Sequence, residues 1–117
     1  MVSNKDRRFI AMALKLALGC HRQHRLGAIV VKGGRILGKG FNVFETRRCA
    51  EERALDDNWR SELKGATLYV ARATRVRACG IARPCAKCQN LIRSLGIGKV
   101  FFTTDDPLNP IAMERFV

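Results

Sequence analysis

Three soft donors and one carboxylate stand out in this chain. "ARPCAKC", residues 82 to 88, holds Cys85 and Cys88 at C-x-x-C spacing. "CAE", residues 49 to 51, holds a third thiol at Cys49 and a carboxylate two residues on, at Glu51. Residues three apart on a helix share a face, so Cys85 and Cys88 can converge on one ion. Three thiolates select zinc over harder cations. Helix N-termini carry partial positive charge and favour the thiolate that a metal requires. Glu51 then has a task beside the metal, as the group that carries protons to and from a water that the metal activates.

A closed structural site takes four protein ligands, and Cys79 is the available fourth. A catalytic site keeps three and leaves one position to water. Glu51 favours the catalytic reading, and a structural zinc module closed by Cys79 is the alternative.

The elements that must position these residues follow from local patterning. Ser3 N-caps a helix that runs to Gly19, with Asp6 in its first turn and an apolar stripe from Phe9 to Ala17. "LGAIVV" (26–31) and "ILGKGFNVF" (36–44) form a β-hairpin, with Gly33-Gly34 supplying positive φ angles at the turn. "CAEERALDDNW" (49–59) has helical spacing and "ATLYVA" (66–71) reads as a strand. Residues 72 to 84 read as a basic loop with Arg72, Arg75, Arg77 and Arg83. "CAKCQNLIRSLG" (85–96) is a helix opened by Pro84, and "KVFFTT" (99–104) is a strand. "IAMERFV" reads as a short helix or edge strand. A strand, a helix of about ten residues and another strand make a right-handed parallel crossover. The expected fold is α/β: a three-layer α/β/α sandwich around a mixed sheet of four to five strands.

The 117 residues read as one domain, 1–117, with 47% apolar residues to build its core. No apolar run reaches membrane-spanning length, so no membrane partner is expected. The basic-then-apolar N-terminus loosely imitates a signal peptide, but Lys15 interrupts it and no clean cleavage site follows. An odd count of five cysteines fits reduced thiols or metal ligands, and a cytoplasmic protein is expected. The net charge of +12 points to an anionic substrate or a polyanionic partner such as nucleic acid.

The two-part motif, Cys49-Ala50-Glu51 followed by Pro84-Cys85-Ala86-Lys87-Cys88, resembles the signature of the cytidine deaminase-like superfamily. "LGAIVVKGGRILGKGFN", "GATLYV" and "LGIGKVFF" match its flanking elements in order, and the resemblance covers about residues 5 to 104. It implies that Cys49, Cys85 and Cys88 hold Zn2+ and that Glu51 shuttles protons. It also implies that the Ala50 N–H binds the base carbonyl and that Asn42 contacts the sugar. The implied reaction converts cytosine to uracil with release of ammonia.

Three departures qualify the match. The first ligand is Cys where nucleic-acid deaminases use His, the 72–84 segment is long, and the C-terminus leaves little room for a fifth strand and last helix. Three thiolates make the centre anionic, and Arg48, Arg53 and Arg83 are candidates to offset it. Arg83 equally suits a substrate phosphate, as do Arg72, Arg75 and Arg77.

Three functions follow. The first is deamination of a free pyrimidine nucleoside or nucleotide such as cytidine, deoxycytidine or dCMP. The second is deamination of cytosine or adenine in single-stranded DNA or RNA, favoured by charge but short of spare aromatics. The third is the non-catalytic zinc module. The resemblance further implies a homo-oligomer. His21, His24 and Cys20 read as a solvated loop with an idle thiol, and Trp59 as core or subunit interface. One of Phe101 and Phe102 is expected in the core, leaving the other to stack on a base.

Overall fold

In the computed structural model, Ser3 and Asp6 set the start of the first helix. The Asp6 N–H donates to Ser3 Oγ at 3.1 Å and the Ser3 N–H donates to Asp6 Oδ2 at 3.0 Å. This reciprocal pair satisfies two amides that a helix N-terminus leaves open. Helix α1 spans Asn4–Leu18 and buries Phe9, Ile10, Ala13 and Ala17 along one stripe. The structure describes residues 2–18, 25–41, 50, 54–55, 63–73, 84 and 86–116.

Strands β1 (Arg25–Lys32) and β2 (Arg35–Phe41) form the expected hairpin. Gly33 and Gly34 turn it at φ 60° and 79°, a pair of left-handed residues that matches the twist of the flanking strands. A register shift between Val30 and Val31 bends the pair.

Strand β3 (Thr67–Ala73) lies antiparallel to β1 on its other side. It continues past the expected end at Ala71, because Arg72 and Ala73 still pair with Leu26 and Arg25. Arg72 is therefore a strand residue and does not belong to the basic loop. Residues 74–83 lie outside the described residues.

Helix α2 (Ala86–Ser94) leads into β4 (Lys99–Thr103), which pairs parallel with β3. A closed loop then returns the chain as β5 (Ile111–Arg115), antiparallel to β4. The Thr104 N–H donates to the Pro110 carbonyl at 2.8 Å, and the Thr104 hydroxyl donates to the Asn109 carbonyl at 2.6 Å. Of the two readings of "IAMERFV", the edge strand is the one observed, and it makes the fifth strand of the expected four to five. The sheet order is β2-β1-β3-β4-β5.

The sheet has two buried faces. Ile29, Val31, Tyr69, Ala71 and Phe101 lie under α1 with Phe9, Ile10 and Ala13. The alternating residues Ala28, Val30, Leu68, Val70, Val100 and Phe102 face the other way. There they meet Ile92 of α2 and Ala50, Ala54 and Leu55, which are helical. Helices on both faces give the three-layer α/β/α arrangement. Phe101 and Phe102 are both core, one per face, which removes the expected base-stacking role.

Helix α1 sits so close to β1 that a Cβ on Gly27 would collide with the Ala13 carbonyl oxygen and lie 2.8 Å from the Ala17 nitrogen. Trp59, His21, His24, Cys20 and Cys79 lie outside the described residues.

Candidate active site

The parallel crossover explains where the candidate ligands belong. The chain leaves the carboxyl end of β3, and α2 runs back to begin β4. The N-terminal end of α2 therefore lies at the carboxyl ends of β3 and β4, where open α/β sheets place their sites. Those two strand ends are tied together, since the Arg72 N–H donates to the Thr103 hydroxyl at 3.1 Å. Thr103 is fully buried, a polar side chain spent on alignment.

Cys88 is the third residue of α2 and is buried, at 1% exposure. Ile92, one turn later on the same face, is fully buried in the core on that side of the sheet. The helix thus aims its thiol inward and its Ala86, Lys87 and Asn90 outward. Pro84 is also buried, and its carbonyl accepts a 2.8 Å hydrogen bond from the Gln89 side-chain amide. That bond clamps the first turn of α2 to the chain that enters it. Gln89 is a positioning residue that sequence reasoning missed, because a polar residue five positions after a proline carries no local signature.

Ala50 is helical and fully buried, and it shares one apolar cluster with Ile92. The segment around Ala50 and helix α2 therefore pack on the same face of the sheet, opposite α1. Of the sequence-derived site residues, the structure places Ala50 and Cys88 on this common side. Cys49, Glu51, Cys85, Asn42 and Arg83 lie outside the described residues.

Cys88 is the one proposed donor among the described residues, and its sulfur is of the kind that zinc takes. Cys88 offers a soft sulfur from a protected position at a helix N-terminus, the setting in which a thiolate is stabilised as a metal ligand.

One charge-assisted hydrogen bond belongs to the opposite side of the sheet. Asp6 and Tyr69 lie on the α1 face, where the Tyr69 hydroxyl donates to Asp6 Oδ1 at 2.6 Å. Burial pushes the Asp6 carboxyl up, but hydrogen bonds from Tyr69 and Ser3 outweigh it and hold the group below the ordinary value of 3.8. Burial and the Asp6 carboxylate both push the Tyr69 phenol well above its ordinary value. Among the described residues no helix is long and apolar enough to cross a membrane.

Residues 3–104 match the model of the cytidine and deoxycytidylate deaminase zinc-binding region. The riboflavin biosynthesis protein RibD of Aquifex aeolicus is 36% identical over 124 aligned positions, covering all of this chain and 32% of that protein. The chain spans a third or less of the length of the curated relatives it matches. The fold is similar to cytidine deaminase from Burkholderia pseudomallei, with a TM-score of 0.70 at 21% identity over 94% of this chain and 91% of that one. It is also similar to a diaminohydroxyphosphoribosylaminopyrimidine deaminase/5-amino-6-(5-phosphoribosylamino)uracil reductase from Thermotoga maritima. That match has a TM-score of 0.64 at 32% identity, over 86% of this chain and 29% of that one. Deaminases of this family are hydrolases of carbon–nitrogen bonds, and their metal is zinc. The chain is a member of the cytidine and deoxycytidylate deaminase zinc-binding family.

Proposed function

We propose that this protein hydrolyses the exocyclic amine of a cytosine base in a free nucleoside or nucleotide, giving uracil and ammonia. This makes it a hydrolase of cyclic amidines. The observation that carries the reading is the burial of Ala50 and Cys88 on one side of the sheet, each inside one half of the two-part motif.

Cys49, Cys85 and Cys88 would hold the zinc, which supplies Lewis-acid activation of water at the site. Glu51 takes a proton from the attacking water and delivers it to the departing amine. The Ala50 N–H orients the base through its carbonyl, and Asn42 holds the sugar. Arg83 either donates to a ligand sulfur or pairs with a 5′-phosphate. We place the protein in the cytoplasm as a homo-oligomer acting on a small-molecule substrate.

A second substrate is favoured by a specific observation. The curated relatives, at 30–36% identity, are riboflavin biosynthesis proteins, and the Thermotoga maritima protein is named for a phosphoribosylaminopyrimidine. Both substrates present an amine on a pyrimidine ring joined to a ribose. The high net charge keeps cytosine or adenine in single-stranded nucleic acid as a third substrate.

Ammonia release from a substrate panel separates these readings. The panel holds cytidine, deoxycytidine, CMP, dCMP, the diaminohydroxyphosphoribosylaminopyrimidine, adenosine and single-stranded oligonucleotides. Turnover of a cytosine nucleoside or nucleotide, lost in Glu51→Ala, is expected. Equal release by the Glu51→Ala variant would sink the mechanism. Loss of zinc from Cys79→Ala would favour the closed structural site.

A further inference from the structure

Among the described residues, a group of basic side chains lies on the α1 side of the sheet, opposite Ala50 and Ile92. Helix α1 carries Lys5, Arg7, Arg8 and Lys15, and β2 places Lys39 on the same side of the sheet, whereas Lys32 and Arg35, next to the α1-facing pair Val31 and Ile36, face the other way. The single carboxylate of α1 and β2, Asp6, is turned to Ser3 and Tyr69. By contrast, β5 and the loop before it carry Asp105, Asp106 and Glu114 against Arg115 alone.

Within this basic region the placement is regular. Lys5, Arg8, Met12 and Lys15 recur at i, i+3, i+7 and i+10, so they form one stripe along α1. At 1.5 Å per residue the stripe is about 15 Å long. It borders β2, the sheet edge. The Lys5 ammonium lies beside the Gly34 turn, and Arg8 rests its guanidinium 5.6 Å from the Phe9 ring centre. Lys39 pairs with Ile29 across β1 and β2, so it stands on the same side of the sheet as α1. Between Lys15 and Lys39 runs an open groove lined by Met12, Leu16 and Ile29.

We infer that this groove, rimmed by Lys15 and Lys39 and continued along α1 by the stripe of Arg8 and Lys5, is a docking surface for single-stranded nucleic acid. The rim matches the charge of a phosphate backbone. The aliphatic floor suits the face of an unpaired base, with the Met12 thioether adding a favourable contact to an aromatic ring. A duplex keeps its base faces stacked inside and would leave that floor uncovered. A lipid surface fits less well, because α1 spends its apolar face on the sheet. The surface lies on the other side of the sheet from Ala50 and Cys88, so it is separate from the deaminase centre. The inference does not rest on the deaminase reading.

The test is binding of a labelled single-stranded oligothymidine to the full chain, followed by anisotropy as salt is raised. Four neutralised phosphates predict a slope of log K against log salt of about −3. Lys15→Glu/Lys39→Glu should weaken binding at least tenfold, and Lys15→Gln/Lys39→Gln should flatten the slope by about 1.4. Lys15→Arg/Lys39→Arg should bind as wild type. Arg115→Glu on the far edge and Glu51→Ala should keep wild-type affinity. Ammonia release from a free nucleoside should be unchanged in the Lys15/Lys39 variants. Absence of binding at low salt would overturn the inference. So would unchanged binding by the Lys15→Glu/Lys39→Glu variant, or displacement of the oligonucleotide by free dCMP. Tighter binding to a duplex of equal length, or to anionic vesicles, would overturn it as well. Failure of every substrate in the ammonia assay would overturn the deaminase reading and leave this result standing.

Discussion

The Tyr69 hydroxyl donates a 2.6 Å hydrogen bond to Asp6 Oδ1, joining the first turn of α1 to the central strand of the sheet. The Tyr69 ring lies between Phe9 and Phe101, with ring centres 5.2 and 5.3 Å away. One side chain thus fastens the helix twice, through its ring and through its hydroxyl.

Tyr69→Phe keeps the ring contacts and removes the bond, so it should cost about 1–2 kcal/mol at neutral pH. The sign of the pH dependence follows from the two shifts. Asp6 is held below 3.8, so its contribution is present above that value and is lost as pH falls through the lowered folded value. Tyr69 is raised above 10.0, so its contribution is present below that value and is lost as pH rises through the raised folded one. Urea midpoints should therefore show the largest gap between wild type and Tyr69→Phe at neutral pH. The gap should narrow below about pH 4. A gap that stays constant into acid would contradict the charged hydrogen bond.

Gly27 marks where α1 touches the sheet backbone to backbone. Gly27→Ala should destabilise by about 2–3 kcal/mol, because the obstructing atoms are main-chain atoms of Ala13 and Ala17 that cannot step aside. Gly33→Asn should be nearly neutral, since nothing lies within 4 Å of a Cβ there and Asn accepts the left-handed turn. Thermal melts of the two variants test the contrast.

Zinc content separates ligand from proton carrier. Cys88→Ala should lower bound zinc, measured by atomic emission, and abolish ammonia release. Glu51→Ala should keep its zinc and lose at least about a hundredfold in rate. Ile92→Ala, one turn beyond Cys88, should cost about 2–5 kcal/mol in stability, because it removes a fully buried side chain from the core.

Leu108 stands 87% exposed on the loop before β5. Its N–H donates to Asp106 Oδ1 at 2.9 Å, so the loop is held by its own polar groups and not by that side chain. Leu108→Ser should change stability by less than about 0.5 kcal/mol. Thr104→Ala removes the hydroxyl that bridges the Asn109 carbonyl and the Asp106 N–H, and should destabilise more. Chemical denaturation of the pair decides it.

Much of this protein is written in short-range signals. Ser3 with Asp6, Gly33 with Gly34, and the alternation in "LGAIVV" specify a helix start, a turn and a strand through contacts a few residues apart. Each half of the two-part motif is legible for the same reason, since the spacing within "CAE" and within "PCAKC" is a local property. Long-range pairing decided the rest. Arg72 extends β3 because Leu26 offers it a partner 46 positions away, and nothing in "ARATR" announces that. "IAMER" becomes a strand because β4 presents a free edge to it. Phe101 and Phe102 are both buried because helices cover both faces of the sheet, a fact about layers that alternation alone leaves open. Asp6 and Tyr69, 63 positions apart, meet only once α1 lies across β3. Local pattern chooses the elements, and the burial of two faces at once chooses which of their side chains touch.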